Sequence, residues 1–188
     1  MATLSVGNKM PDFIFNTAYD NNITVKNVLQ KKKRTIFWVL RYIGCPTCRL
    51  DIHLIANRYQ EFLELDTQVY VVMQSEPISV REDLKNVTLP FNIICDADME
   101  IYKALQIPAT SSREQRMPTD PADIARWEDK LKNVQEAGFA HGKYEGNEQQ
   151  LPALFVVEHD GTVSYAHYAK NSIDMPTVDE MLEVIKNI

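Results

Sequence analysis

The sequence has 188 residues, of which 45% are hydrophobic and 24% charged, with a formal net charge of -6. That length fits about one domain with a real apolar core, and the mildly acidic balance argues against a basic nucleic-acid-binding face. Three cysteines do not make the disulfide framework of a small secreted domain, so a close pair among them points to catalysis or metal binding in a reducing compartment.

The stretch from Met1 to Pro11 has neither a basic start nor a long apolar run, so no secretory leader is expected. The segment Pro11-Asp12-Phe13-Ile14-Phe15 reads as a short strand, followed by a turn at Asp20-Asn21-Asn22. Val25 to Gln30 reads as one or two helical turns. The basic run Lys31-Lys32-Lys33-Arg34 reads as a solvated loop rather than a phosphate patch. Thr35 to Leu40 is a continuous β-branched and aromatic run, which predicts a central strand buried on both faces. It is also the longest apolar run and too short to span a bilayer. The expectation is a soluble, cytoplasmic protein with no membrane or nucleic-acid partner.

A helix is predicted from Arg49 to Leu65, with Leu50, Leu54, Ile55, Arg58 and Phe62 on one mostly apolar face. Val69 to Met73 is a second buried strand, Val80 to Asn86 a short helix, Phe91 to Cys95 a third strand and Asp98 to Leu105 a helix. Pro121 to Ala137 predicts an amphipathic helix, capped by Asp120, started by Pro121 and ended by Gly138. Its stripe is Ile124, Trp127, Leu131 and Val134, with Trp127 expected in the core. Phe139 to Gln150 is polar and reads as loop. Ala153 to Glu158 and Thr162 to Tyr168 form a hairpin around His159-Asp160-Gly161. A last helix runs from Thr177 to Asn187. This alternation predicts an α/β fold, a mixed central sheet flanked by helices.

The chemistry concentrates in Arg41-Tyr42-Ile43-Gly44-Cys45-Pro46-Thr47-Cys48-Arg49. The segment follows a buried strand and opens a helix. A thiolate at a helix N-terminus meets unpaired N–H groups and the positive end of the dipole, and both favour the anion. The two-residue spacing puts a second thiol within disulfide reach. Cys45 and Cys48 are therefore the candidate catalytic pair, with Pro46 and Thr47 between them and the cations Arg41 and Arg49 on either side. Of the two, Arg41 is expected to face the site, and Arg49 is as consistent with solvent as with the site.

Packing and zinc are the competing readings of the pair. Zinc requires four ligands. The remaining Cys95, His53, His141, His159 and His167 make no second Cys-x-x-Cys or His-x-x-His. No metal site is expected, Cys95 is read as structural, and no Gly-rich phosphate loop or cofactor motif is present.

Several segments together resemble the alkyl hydroperoxide reductase C / thiol-specific antioxidant (AhpC/TSA) family. They are Val6-Gly7-Asn8-Lys9-Met10-Pro11-Asp12-Phe13, the strand with Cys45-Pro46-Thr47-Cys48, the turn Ile94-Cys95-Asp96-Ala97-Asp98, and Leu151-Pro152-Ala153-Leu154-Phe155 with its hairpin. The resemblance covers Val6 to Tyr168 apart from an insertion at about 111–150. It implies one thioredoxin-like domain over residues 1–188, with an N-terminal extension and one inserted helix. That helix would cover the site or form a homodimer contact.

The family's peroxide site carries Pro-x-x-x-Thr-x-x-Cys. Laid on this chain, that pattern puts the reactive cysteine on Cys48, with Arg41 and Cys45 at the Pro and Thr places. Pro152 stands where the family has an Arg before the late strand. The same residues resemble thioredoxin, with Cys45 exposed and attacking and Cys48 resolving. Pro152 would then be a cis-proline facing the pair, with the Leu151 backbone free to pair with an extended peptide. The resemblance thus implies a peroxiredoxin-like thiol–disulfide oxidoreductase. Its substrate would be a protein or small-molecule disulfide, and a thiol reductant would donate electrons. A thiol peroxidase with Cys48 attacking peroxide is the alternative. A non-enzymatic thioredoxin-fold binding module is a third reading.

Overall fold

The computed structural model describes residues 3–188; Met1 and Ala2, at the head of the stretch read for a leader, lie outside the described residues. In chain order the elements are β1 (Ile14–Thr17), β2 (Ile23–Thr24), α1 (Val25–Leu29), β3 (Arg34–Val39), α2 (Pro46–Asn57), α3 (Tyr59–Glu64), β4 (Thr67–Met73), α4 (Pro77–Asp83), β5 (Asn92–Cys95), α5 (Glu100–Ala104), α6 (Arg113–Arg116), α7 (Pro121–Glu136), β6 (Ala153–Glu158), β7 (Val163–Tyr168) and α8 (Val178–Asn187). The strands form one sheet in the order β2-β1-β5-β4-β3-β6-β7. The pairs β3–β4 and β4–β5 are parallel, and β6, β7 and β1 join antiparallel. This is the thioredoxin-like arrangement, widened by β1 and β2 at the N-terminal side.

Every residue of β3 and β4 is buried because helices cover both faces. Alternate side chains go to opposite layers. Ile36, Trp38, Val69 and Val71 pack with Ile52 and Ile55 of α2 and Met181, Leu182 and Ile185 of α8. Phe37, Val39, Tyr70 and Val72 pack with Val28 of α1 and Ile101 and Tyr102 of α5. Burying each such large side chain contributes roughly 1.5–3 kcal/mol before entropy is counted. The sheet is thus held from both sides at the point where β3 delivers the chain to Cys45.

Several boundaries differ from the sequence reading. Arg34 belongs to β3, not to a solvated loop: it is buried, pairs with Glu158 at 3.0 Å and donates to the Ile185 carbonyl. The helix expected over Arg49 to Leu65 is two helices. The chain breaks at Arg58 (φ -117, ψ 13), where the backbone N–H tightens back onto Ile55. The first strand sits later than Pro11 to Phe15 because its partner is β5, in the register Asn16–Cys95. β2 and α6 are too short to leave a periodic signal.

α7 has the predicted ends. The Asp120 carboxylate accepts from Ala122 N–H, and Gly138 (φ 72) closes the helix, with Phe139 N–H bonded to the Val134 carbonyl. Its apolar stripe is only partly covered: Val134 is buried, Trp127 is half-buried, and Ile124 and Leu131 are 38% and 43% exposed. The helix lies across α2 rather than against the sheet. No helix among the described residues is long and apolar enough to cross a membrane.

Candidate active site

After β3 the chain turns through Tyr42-Ile43-Gly44 and enters α2 at Cys45. Cys45 N–H bonds to the Tyr42 carbonyl at 3.1 Å, and the Cys45 carbonyl accepts the Arg49 N–H at 3.0 Å. Cys45 is the N-cap of α2, and Pro46 occupies the first turn, where its missing N–H costs no helical bond. The cap acceptor is the Cys45 sulfur itself, which takes the Cys48 N–H at 3.4 Å.

Three more groups converge on that sulfur. Arg41 Nη2 donates at 2.9 Å, Thr47 Oγ1 lies at 3.2 Å and Cys48 Sγ at 2.8 Å. Burial alone would push the Cys45 thiol up. The hydrogen bond from Cys48, the Arg41 guanidinium, the Thr47 hydroxyl and the Cys48 N–H outweigh it and hold Cys45 well below the ordinary thiol range. Cys48 moves the opposite way: burial, the hydrogen bond to Cys45 and the charge on Cys45 keep it protonated. The pair thus divides into the more acidic thiol, Cys45, and the less acidic one, Cys48, whose S–H donates to the Cys45 sulfur.

The other predicted site residues divide clearly. Arg41 faces the sulfur and is steadied by the Glu148 carbonyl at 3.1 Å. Arg49 turns away: Nε donates to the Ile43 carbonyl, Nη1 to the Ala140 carbonyl and Nη2 to Asp83. It ties α2 to its surroundings and does not touch the thiols. Pro152 does line a small cavity beside Cys48, but its peptide bond is trans, since no cis bond occurs among the described residues. The Leu151 backbone is already engaged, its N–H with the Pro108 carbonyl and its carbonyl with Gln150 Nε2. Residues 147–151 run alongside 107–110, bridged at Ala109–Gln150, and that extended path into β6 suits a trans bond. Cys95 on β5 stays away from the pair, with β4 between β5 and β3. Its sulfur donates weakly to the Ile93 carbonyl, and burial pushes its thiol up to about 12.

The expectation of an exposed attacking thiol is not met: Cys45 is 0% and Cys48 4% exposed. Both belong to the apolar core cluster, and the polar stretch read as plain loop is here a strap over residues 138–150, fastened to the turn before Cys45. Gly142 N–H bonds to the Gly44 carbonyl at 2.8 Å, so close that a Cβ on Gly44 would collide with the Lys143 carbonyl. His141 contacts the Tyr42 hydroxyl at 3.1 Å. The Gln74 side chain pairs with both the N–H and the carbonyl of Asn147, at 2.8 Å each.

Sequence reasoning also missed three charged groups near the pair. Asp51 and Lys130 form an ion pair beside Cys48. Arg116, buried on α6, bonds to Gln149 and Ser172. Asp51 carried a faint signal, a carboxylate one turn after Cys48 among Leu50, Ile52 and Ile55. Lys130 and Arg116 come from the insertion, and no local pattern links them to Cys48. Among the described residues, no three His, Cys, Asp or Glu side chains converge to hold a metal ion.

A strand-to-helix dithiol under such electrostatics, on this sheet, defines a thioredoxin-fold thiol redox protein. Residues 6–166 match the AhpC/TSA family, and the chain belongs to it. Proteins of this family are thiol peroxidases and oxidoreductases, and this chain is an enzyme of that class. Its fold is similar to peroxidoxin BcpB from Mycobacterium tuberculosis (12% identity, 97% of each chain, TM-score 0.68). It is also similar to a mutant of peroxiredoxin 6 of Arenicola marina (12% identity, 97% of this chain and 72% of that one, TM-score 0.72). A yeast mitochondrial 1-Cys peroxiredoxin superposes over 98% of this chain and 76% of its own, with 14% identity and TM-score 0.66. No curated protein matches the sequence.

Proposed function

We propose that the protein is a dithiol–disulfide oxidoreductase in which Cys45 attacks and Cys48 resolves, on one thioredoxin-like domain whose insertion spans about 111–150. The observation that carries this reading is the convergence of Cys48, Arg41, Thr47 and a backbone N–H on the Cys45 sulfur. The Cys45 thiolate attacks a disulfide R–S–S–R′, forming Cys45–S–S–R and expelling R′S⁻. Cys48 loses its proton and attacks the Cys45 sulfur, so that the Cys45–Cys48 bond forms and RS⁻ leaves. The substrate gains two electrons and the protein loses two. A thiol reductant closes the cycle. One structural neighbour is described as resolved through glutathione and thioredoxin systems, which supports a reductant of that chemistry.

The burial of both sulfurs favours a second reading, a small hydroperoxide as oxidant. The Cys45 thiolate attacks ROOH, giving Cys45–SOH and RO⁻, which solvent protonates to ROH. Cys48 then condenses with the sulfenic acid and releases water. The motif resemblance puts first attack on Cys48, whereas the local charges favour Cys45.

The test is disulfide mapping by mass after oxidation of wild type, Cys45→Ser and Cys48→Ser. A reversible Cys45–Cys48 bond is expected, with mixed disulfide or sulfenic acid trapped on Cys45 in Cys48→Ser. Capture on Cys48 in Cys45→Ser at equal or greater rate would reverse the assigned roles. A pair that no oxidant joins would leave the binding-module reading.

A further inference from the structure

Arg34 and Arg116 are the two buried arginines among the described residues. Arg34 faces the Glu158 carboxylate at 3.0 Å. Arg116, on α6 inside the insertion, has no carboxylate within ion-pair distance among the described residues. Its Nε donates to the Gln149 side-chain carbonyl at 3.3 Å and its Nη1 to the Ser172 hydroxyl at 2.5 Å. Its Nη2 has no hydrogen-bond partner among the described residues. A buried guanidinium without a counter-charge is costly, so an anion brought to this donor gains both a hydrogen bond and a charge partner.

Arg116 belongs to the surroundings of the dithiol without touching either sulfur. Ser172, which holds its Nη1, lines the small cavity beside Cys48 together with Arg41. Arg41 donates to the Glu148 carbonyl and Arg116 to the next residue, Gln149, so the two guanidiniums grip adjacent links of one strap. Burial and the Arg41 cation pull the Arg116 guanidinium down, while the Cys45 and Cys48 sulfurs push it up, so all four groups share one field. Arg41 also lacks a carboxylate partner among the described residues, and its charge faces the Cys45 sulfur. The other ionised side chains nearby, Arg113, Glu114 and Glu148, are exposed and screened by solvent.

We infer that Arg116 makes the dithiol selective for small disulfides that carry a carboxylate close to the sulfur pair, the carboxylate taking the open Nη2 donor in the field of Arg41. The inference rests on the reading of Cys45 as attacking a disulfide. Arg116 holds the carboxylate by charge-assisted hydrogen bonds and takes no part in making or breaking bonds. As Cys45 attacks, its negative charge passes to the departing sulfur. Both guanidiniums then face a site that has lost its own anion, and a substrate carboxylate replaces it. The burial of both sulfurs favours small molecules over folded partners.

The test oxidises the reduced full chain with dithiodipropionate, bis(2-hydroxyethyl) disulfide or cystamine, which differ in charge at the ends of short arms. Acid quench and mass give each rate at low salt, divided by the rate of dithiothreitol with the same disulfide to remove intrinsic reactivity. Wild type should prefer the dianion to the dication by about tenfold or more. In Arg116→Gln the dianion rate should fall about tenfold relative to the neutral disulfide, and the cystamine rate should rise relative to it. Arg116→Lys keeps the charge and should restore part of the preference. A merely structural role would move all three rates in one direction, and that result would overturn the inference, as would unchanged ratios; both leave the oxidoreductase reading intact. A wild type that none of the three disulfides oxidises would overturn both. If Arg116→Gln does not fold, by far-UV circular dichroism, the wild-type rates decide, and equal rates with dianion and dication overturn the inference.

Discussion

Arg41 is the cation that, beside the hydrogen bond from Cys48, favours the thiolate form of the buried Cys45 sulfur. It approaches Cys45 at 2.9 Å, from a position held by the Glu148 carbonyl and over the face of Tyr42. Desolvation opposes the thiolate, so the anion survives only because fixed donors replace water. Removing the guanidinium in Arg41→Met leaves Thr47 and Cys48 to hold the charge. The midpoint for Cys45 alkylation by iodoacetamide should rise by about one pH unit or more. The sign follows from the acid form: a weaker anion environment raises the thiol pKa, slows reaction at neutral pH and leaves the alkaline plateau unchanged. Stopped-flow rates across pH in a Cys48→Ser background measure it. A midpoint that stays in place would remove Arg41 from the proposed chemistry.

The strap over residues 138–150 is an element without secondary structure of its own, and its fastening beside the dithiol is expected to limit what reaches Cys45. It is fastened to Gly44, Tyr42 and Gln74, at the ends of the same strands that deliver the dithiol. Small reagents should therefore react with Cys45 much faster than bulky maleimides in the reduced wild type. Gly44→Ala places a methyl group against the Lys143 carbonyl and should push the strap outward. The rate with a bulky maleimide should rise about tenfold or more, a local opening of about 1.4 kcal/mol or more, while the small-reagent rate changes little. Equal acceleration of both reagents would point to general loosening instead of a moved strap. α7 contributes at this scale as well. Its Lys130–Asp51 pair joins the insertion to the helix that carries both thiols.

At the scale of the whole molecule, Arg34 joins β3, β6 and the end of α8 through Glu158 and the Ile185 carbonyl. Arg34→Met should lower stability by about 2–4 kcal/mol, because it leaves a partly buried carboxylate and helix-end carbonyls without their donor. Urea unfolding of the reduced protein measures it, and a midpoint equal to wild type would show the contacts to be dispensable. Much of this architecture was legible from local patterns. The runs Thr35 to Leu40 and Val69 to Met73, the Asp160-Gly161 turn and the Asp120-Pro121 start of α7 each carry their structure in a few adjacent residues. The Cys45–Cys48 spacing and the cation Arg41 were legible for the same reason. The rest depends on distant meetings: Lys130 with Asp51 across 79 positions, and the strap with Gly44. A polar stretch such as Phe139 to Gln150 looks like solvent-facing loop until its carbonyls find Arg41, Arg49 and Gln74. The stripe on α7 misled in the other direction, since periodicity marks a face and not whether anything covers it.

The sulfur that caps α2 accepts from four donors only while it is reduced. Joining it to Cys48 gives up the charge that those donors serve. The folded scaffold is therefore more comfortable as dithiol than as disulfide, and its reduction potential is drawn toward the oxidising end. A couple biased in this way takes electrons readily from ordinary cellular thiols. In the proposed cycle this bias eases regeneration by the thiol reductant and makes reduction of the substrate disulfide the more demanding half.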